Sequence, residues 1–421
     1  MGAAAAWSVT SWLDAVGDGE FNAVQPRNPT IMASAAGDPG IGVGTWAWGN
    51  QFLWGYDPAR DDDRLAATFR RCLERGLLFF DTADSYGTGR FNGRSESLLG
   101  RFAHDASPQE RDCLTIATKL APFPWRLGRQ GYTRAFTASQ ARLQGQMKRV
   151  QLHWSTARYA PWQEGPLLDG LADLVLGGEV QSLGVSNMGP QRLRRVHAQL
   201  QARGVPLASL QVQLSLLAPE AVKAGGVAAV CQELGVDLIA YSPLALGLLS
   251  RGSDDPHPLP AGPRGALFRR LEPKLQPLQR VMAELAAGRP GGLAAVALNW
   301  CRAHGAMPIP GLRRPAQVDQ AAEALRWNLT GEERQRLDAL VLAQGAARMP
   351  ANPFQSAWGS ARPPMAGEGS GVSTTGSRSR AASAASWAGS PWRTRATTRG
   401  REGWGCTSGS ASPSSQAERA S

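Results

Sequence analysis

LLFFDTADSYG, residues 77–87, starts as a short apolar run and ends in side chains able to do chemistry. Seven other runs share the pattern of LLFFDT (77–82): IGVGTW (41–46), LTIATK (114–119), RVQLHW (149–154), SLGVSN (182–187), LASLQVQL (207–214), VDLIAYS (236–242) and AMPIPG (306–311). Continuous runs of this length, bounded by turn residues, are what strands buried on both faces of a parallel sheet look like. Between them lie stretches of helical period such as 63–76, 190–204 and 219–235, several opening on Asp or Pro and closing at Gly. Strand and helix alternating eight times over residues 41–345 predicts an α/β fold of (β/α)8 TIM-barrel type. An open doubly wound sheet is the structural alternative. Its dinucleotide form needs GxGxxG between the first strand and a helix, and GIGVGTW lacks that spacing.

Outside the barrel the composition changes. Residues 1–40 are Ala/Gly-rich without a period. Residues 346–421 are dominated by Ser, Gly, Ala, Arg and Pro, too little apolar surface to offset chain entropy, so both ends are expected to be disordered. Net charge is +11, but from Asn352 onward eight Arg face three Glu, so +5 of it sits in the tail. That distribution argues against nucleic acid as a partner. The five cysteines are scattered with no CxxC pair, which predicts neither a disulfide framework nor a metal site. No apolar run is long enough to span a membrane, and secretion is not expected.

In a TIM barrel, polar residues at strand C-termini face the active site. The second strand delivers Asp81 and, in the following loop, Tyr86. The third ends in Lys119 and the fourth in His153. Singly these are a cap, a packed ring, a surface charge and a core histidine. At consecutive strand ends they suggest general acid-base catalysis. A tyrosine with a pKa near 10 needs help at neutral pH. Lys119 is expected to lower it, with Asp81 as counter-ion to the lysine and His153 orienting a carbonyl oxygen.

These motifs resemble the aldo-keto reductase superfamily, in particular its plant and algal plastid branch. FFDTADSYGTGRFNGRSESLLG (79–100), ATK (117–119), QLHW (151–154), GVSN (184–187), LQVQLSLL (210–217), YSPLALGLL (241–249) and PIPG (308–311) follow in family order. The resemblance implies an NADP(H)-dependent enzyme that reduces aldehydes or ketones. Its catalytic tetrad would be Asp81, Tyr86, Lys119 and His153, with Tyr86 as general acid. It implies Ser186, Asn187 and Gln213 on the nicotinamide carboxamide, Tyr241 stacked on the ring, and Gly44, Thr45 and Trp46 bordering it. Ser242, Pro243, Leu244 and Gly247 would run beside the pyrophosphate. Ile309, Gly311, Arg313, Arg314 and Gln317 would take the adenosine 2′-phosphate end, where guanidinium suits phosphate. The family's Glu-Asn pair in the last barrel helix is replaced by Gln320 and Ala321.

Trp48, Trp125 and Trp154 are expected to line a pocket for a small carbonyl substrate. A plastid location follows from the resemblance, with the cytoplasm as the alternative. A different class of function, a nicotinamide-binding redox-sensing regulatory subunit with slow turnover, would keep the same tetrad. A third reading makes the basic tail a binding arm on an enzyme core.

Overall fold

A computed structural model of the chain describes residues 39–356 apart from 253, 254, 256 and 344. The N-terminal extension up to residue 38 and the tail beyond 356 lie outside the described residues. All eight runs become strands: β1 (Val43–Gly44), β2 (Phe79–Ala83), β3 (Thr115–Leu120), β4 (Met147–Leu152), β5 (Ser182–Ser186), β6 (Leu207–Gln213), β7 (Asp237–Tyr241) and β8 (Ala306–Ile309). They pair in chain order, each parallel to the next. Gly42 N–H to Pro308 O and Gly44 N–H to Pro310 O, both 3.0 Å, bring β1 back onto β8 and make a barrel.

The strands alternate because they are buried on two faces. Phe80, Ile116, Val150, Val185, Leu210, Val212 and Leu238 join one apolar layer with the surrounding helices. At about 1.5–3 kcal/mol per buried side chain, this layer dominates the folding energy. Phe79, Ala117, Ile239, Met307 and Ile309 form a smaller cluster of their own. Arg149 lies beside it, its guanidinium 5.8 Å from the Phe79 ring and its Nε donating to Ser182 Oγ at 2.9 Å.

Helices fall between the strands with the expected signals. Pro58–Glu74 is capped by Asp57, whose side chain accepts from Ala59 N–H, with Pro58 in the first turn. Pro190–Gln201 follows β5. The stretch 219–235 breaks at the Gly225-Gly226 pair into a 3-10 turn, Glu220–Val222, and a helix, Val227–Leu234, since glycine is costly inside a helix.

Two boundaries differ from expectation. The first strand, expected over 41–46, shrinks to Val43–Gly44. Here β1 runs so close to β8 that a Cβ on Gly44 would lie 2.9 Å from Ile309 O. Thr45 then turns away to bond Asp81 O through its N–H at 3.0 Å. At the other end, the expected boundary at residue 345 falls too early. Met349 N–H bonds Leu217 O at 2.8 Å and Ser356 N–H bonds Asn187 O at 3.0 Å, so the chain up to Ser356 packs on the barrel. Phe354, in this stretch, was also expected to fold over the barrel mouth, together with Trp358, which lies outside the described residues. Among the described residues no helix is long and apolar enough to cross a membrane.

Candidate active site

The ends of β2, β3 and β4 bring the four expected catalytic residues together. Asp81 and Lys119 are buried, at 2% and 1% exposure. The lysine Nζ donates to Asp81 Oδ1 and, at 2.7 Å, to Thr82 O. Two amides that strand-end reasoning missed hold the other carboxylate oxygen: Gln151 Nε2 at 2.9 Å and Gln211 Nε2 at 2.7 Å donate to Asp81 Oδ2. They sit one pleat below His153 and Gln213, on the same inward faces of β4 and β6. The period of two was the available signal.

Tyr86 rides on a turn held by its own backbone, with Tyr86 N–H bonded to Ala83 O at 3.1 Å and Gly93 N–H to Tyr86 O at 2.9 Å. The next residue has to be glycine: Gly87 has φ +117°, and a Cβ there would lie 1.7 Å from Phe91 O. Lys119 Nζ is 4.9 Å from the Tyr86 ring centroid, and the His153 ring meets Tyr86 edge-on at 5.8 Å. Ser85 Oγ is 3.5 Å from His153 Nδ1.

The electrostatics differ from expectation in one respect. Tyr86 is not lowered. Burial, followed by the carboxylates of Asp81 and Asp84, holds its hydroxyl well above 10. The field of Lys119 is spent on Asp81, and burial pushes the ammonium itself down. His153 is pushed well below 6.5 by burial and by Lys119 and Arg126. At neutral pH the site therefore presents a protonated phenol beside a neutral imidazole. Asp84, which the sequence reading passed over, is buried under Arg126 and accepts from Ala121 N–H at 3.3 Å; burial raises its pKa.

The residues expected to hold the cofactor lie at the ends of β1, β5, β6, β7 and β8 and in the loops that follow them. Asn187 has φ +60°, and its side chain donates to His153 O at 3.0 Å and accepts from Tyr241 O–H at 2.9 Å. Ser242, Ala245 and Leu246 are also left-handed, so four of the five non-glycine residues of positive φ among the described residues lie at the ends of β5 and β7. Such strain costs about 1–3 kcal/mol each and gathers at functional sites. Pro243, Leu244 and Gly247 lie in that same strained turn. Ser186 is buried, its hydroxyl donating to Gln211 O at 2.9 Å. Thr45 is buried as well, its hydroxyl bonded to Asp81 O at 2.9 Å. Trp46 is exposed, edge-on to Trp54 at 6.3 Å. Gln213 is half-buried at the end of β6. Beyond β8, Ile309 is buried, Gly44 pairs with Gly311, and Gln317 Oε1 accepts from Arg313 N–H at 2.9 Å. Arg313 is half-buried and Arg314 exposed.

Of the three tryptophans expected to line the pocket, Trp48 does not. It is 0% exposed, packs edge-on against Phe102 and donates to Leu312 O at 2.9 Å, so it is a core residue. Trp154 adjoins His153, ring centroids 5.0 Å apart, and stacks on Phe354 at 4.3 Å. Trp125 is exposed and stacks on Phe123 at 4.8 Å, and Phe123 in turn meets Trp154 edge-on at 6.0 Å. Phe354 belongs to the segment 349–356, which also bonds the site directly: Asn352 Nδ2 donates to Tyr241 Oη at 2.5 Å and to Asn187 Oδ1 at 3.3 Å, and Gly189 N–H donates to Ser356 Oγ at 2.8 Å. Among the described residues no His, Cys, Asp and Glu group is arranged to hold a metal ion.

Residues 40–342 match the description of the Aldo/keto reductase family. The chain belongs to that family. As an aldo/keto reductase it is an NADP(H)-dependent oxidoreductase. It is 47% identical over 301 residues to the chloroplastic pyridoxal reductase of Arabidopsis thaliana, covering 71% of this chain and 82% of the relative. An uncharacterized oxidoreductase of Mycobacterium tuberculosis is 32% identical over 319 residues, 73% of this chain and 90% of that one. An aldo/keto reductase from Klebsiella pneumoniae, solved in complex with NADP and acetate, superposes with a TM-score of 0.55 at 24% identity, covering 77% of this chain and 100% of that one. The last likeness speaks for the fold alone.

The reductase's own residues fit a nicotinamide dinucleotide. The amide of Asn187 and the ring of Tyr241 stand at the mouth beside Tyr86, and the buried side-chain atoms without a partner among the described residues include Trp54 Nε1 and Arg264 Nε near Arg313.

Proposed function

We propose that this aldo/keto reductase reduces an aromatic aldehyde of the pyridoxal class to the alcohol, with Tyr86 as the proton donor. The observation that carries the reading is the aromatic wall of Phe123, Trp154 and Phe354 continuing from His153, on the side of the phenol. Such a wall favours a flat ring, since offset or edge-on aromatic pairs add about 0.5–1.5 kcal/mol beyond area burial. The relative that is 47% identical is named a pyridoxal reductase, and pyridoxal is a flat heteroaromatic aldehyde.

NADPH supplies the hydride when bound. The protein's part is positioning and proton delivery. Ser186, Asn187 and Tyr241 hold the nicotinamide end, and Arg313 and Arg314 the phosphate end. Neutral His153 orients the carbonyl oxygen by hydrogen bonding. Tyr86, kept protonated by its surroundings, gives its proton to that oxygen as negative charge develops there. Lys119, over the face of the same ring and neutralised by Asp81, then lies near the phenolate. The segment 349–356 and the aromatic wall exclude water. A plastid location accords with the chloroplastic relative.

The test is ultraviolet-monitored NADPH oxidation with pyridoxal, substituted benzaldehydes and aliphatic aldehydes. Pyridoxal is expected to show the highest kcat/KM, and Tyr86→Phe to lose about 10²–10⁴-fold in rate with NADPH affinity unchanged. Preference for aliphatic aldehydes would overturn the substrate reading. Turnover by Tyr86→Phe at the wild-type rate would overturn the assignment of the acid. Slow turnover across the whole panel would favour the redox-sensing alternative.

A further inference from the structure

Three buried N–H groups without a partner among the described residues gather beside Arg313: Trp54 Nε1, Arg64 Nε and Arg264 Nε. They come from separate helices, Gln51–Trp54, Pro58–Glu74 and Gly262–Leu271, yet the contacts join them. The Arg264 guanidinium lies 4.4 Å from the Trp54 ring centroid, and that of Arg313 lies 5.7 Å from the same ring. Arg313 Nη2 is 3.8 Å from Asp61 Oδ2, and Arg64 bonds Asp61 Oδ1.

Among the described residues the local charges do not balance. Asp61 is buried and shared among Arg60, Arg64 and Arg313, and it also accepts from Asp57 N–H at 3.1 Å. Asp57 is engaged in capping its helix at Ala59, and Asp62 is taken by Tyr56 and Arg94. Arg313 is pulled down to about 10, by burial first and then by Arg64, Arg264 and Arg314 acting against Asp61. Arg264 is pulled down by burial and by Arg251. Guanidiniums crowded in this way, with inward N–H groups left over, await a multivalent anion.

NADP(H) brings such an anion. Its nicotinamide end belongs at Tyr86 and His153, after β2 and β4. The cluster is carried by helices of the outer layer and by the loop after β8, where we place the far end of an extended dinucleotide. A phosphate monoester offers three acceptor oxygens to planar, forked donors. We infer that Trp54, Arg64 and Arg264 complete, with Arg313, the seat of the 2′-phosphate, so that cofactor choice depends on this set and not only on the two arginines after β8. The inference rests on NADP(H) use by the chain but not on the identity of the aldehyde.

Calorimetric titration of the full chain with 2′,5′-ADP and with ADP, which lacks the 2′-phosphate, tests it without turnover. The wild type should bind 2′,5′-ADP more tightly. Arg264→Ala should weaken 2′,5′-ADP by about tenfold or more, as loss of a charge-assisted hydrogen bond implies, and leave ADP within about twofold. Arg64→Lys, which keeps a cation for Asp61, should move the same way by less. Trp54→Phe keeps a ring for the guanidiniums but removes the indole donor, and should also selectively weaken 2′,5′-ADP. Melting temperatures near the wild type will show that the variants fold. Equal losses on both nucleotides, or no loss on either, would overturn the inference. A wild type that binds both equally would overturn the NADP(H) preference and the inference with it.

Discussion

Replacing Asp81 by Asn separates the structural and chemical parts of the tetrad, and the contacts set the size of the effect. The change removes the only carboxylate bonded to Lys119 Nζ among the described residues while leaving the side chain nearly the same shape. Lys119 is 1% exposed, so water cannot replace the lost charge. Its remaining acceptor is Thr82 O at 2.7 Å. The other side of Asp81 makes matters worse. Gln151 and Gln211 both donate to Oδ2, so an Asn placing its oxygen there turns its NH2 toward the ammonium, and the flipped amide faces two NH2 groups with its own. Either rotamer sets donor against donor.

Breaking a buried pair by removing one partner costs about 3–5 kcal/mol. At about 2–4 °C per kcal/mol for a domain near this size, the melting temperature should fall on the order of 10 °C, less if Lys119 sheds its proton. Burial already pushes that lysine down, so loss of Asp81 should leave it neutral at pH 7. The phenolate would then form without a cation over its ring, and reduction should slow by at least about tenfold beyond the effect of instability. Scanning calorimetry and single-turnover reduction at a temperature well below the melt read the two effects separately. Lys119→Met supplies the control. Combined with Asp81→Asn it should destabilise by less than the sum of the single changes, because each removes the other's unpaired partner. Additive losses, or an Asp81→Asn protein as stable and as fast as the wild type, would refute the coupling.

Two further outcomes follow from the site. His153 stays neutral in the folded protein because its pKa lies well below the unfolded value of about 6.5. A depressed histidine contributes stability that is present above pH 6.5 and is lost as the pH falls, since only the unfolded chain takes up the proton, at about 1.4 kcal/mol per pH unit in that window. Denaturant titrations between pH 5 and pH 8 should show this slope, reduced in His153→Gln; an unchanged slope in the variant would reject it. The segment 349–356 is read by two truncations: a chain ended before Asn352 loses Phe354 and Ser356 and should show a raised KM for aromatic aldehydes, whereas one ended before Arg362 should match the wild type. The single change Phe354→Ala should raise that KM by about threefold to tenfold, the worth of one aromatic pair, and an unchanged KM would remove Phe354 from the substrate wall.

The barrel was legible because parallel strands buried on both faces are largely apolar until they reach the mouth, so each apolar run announced both an element and its functional end. That rule picked out Asp81, Lys119 and His153, which the structure brings together around Tyr86. The same rule explains the errors. It reads the last residue of a run and overlooks the inward residue one pleat below, so Gln213 was named and Gln211, which holds Asp81, was not. It also cannot assign a side chain after a strand that ends early: with β1 closed at Gly44, Trp48 turns into the core while Trp46 stays outside. The anion-hungry cluster was harder still. Trp54, Arg64 and Arg264 come from helices far apart in sequence, and nothing in the period of any one of them marks its inward donor. Their meeting follows from closure, which sets the segments after β1, β7 and β8 side by side. The segment after the last helix was legible in part: Phe354 was open to reading as a residue over the barrel mouth, while Asn352 and Ser356, which bond Tyr241 and Asn187, were averaged into the Ser-, Gly- and Arg-rich composition that follows them. Composition over seventy residues measures whether a segment can fold alone. It carries no information on whether its first residues are held by a surface already folded, and here that surface, the strained ends of β5 and β7, offers the hydrogen-bonding groups they need.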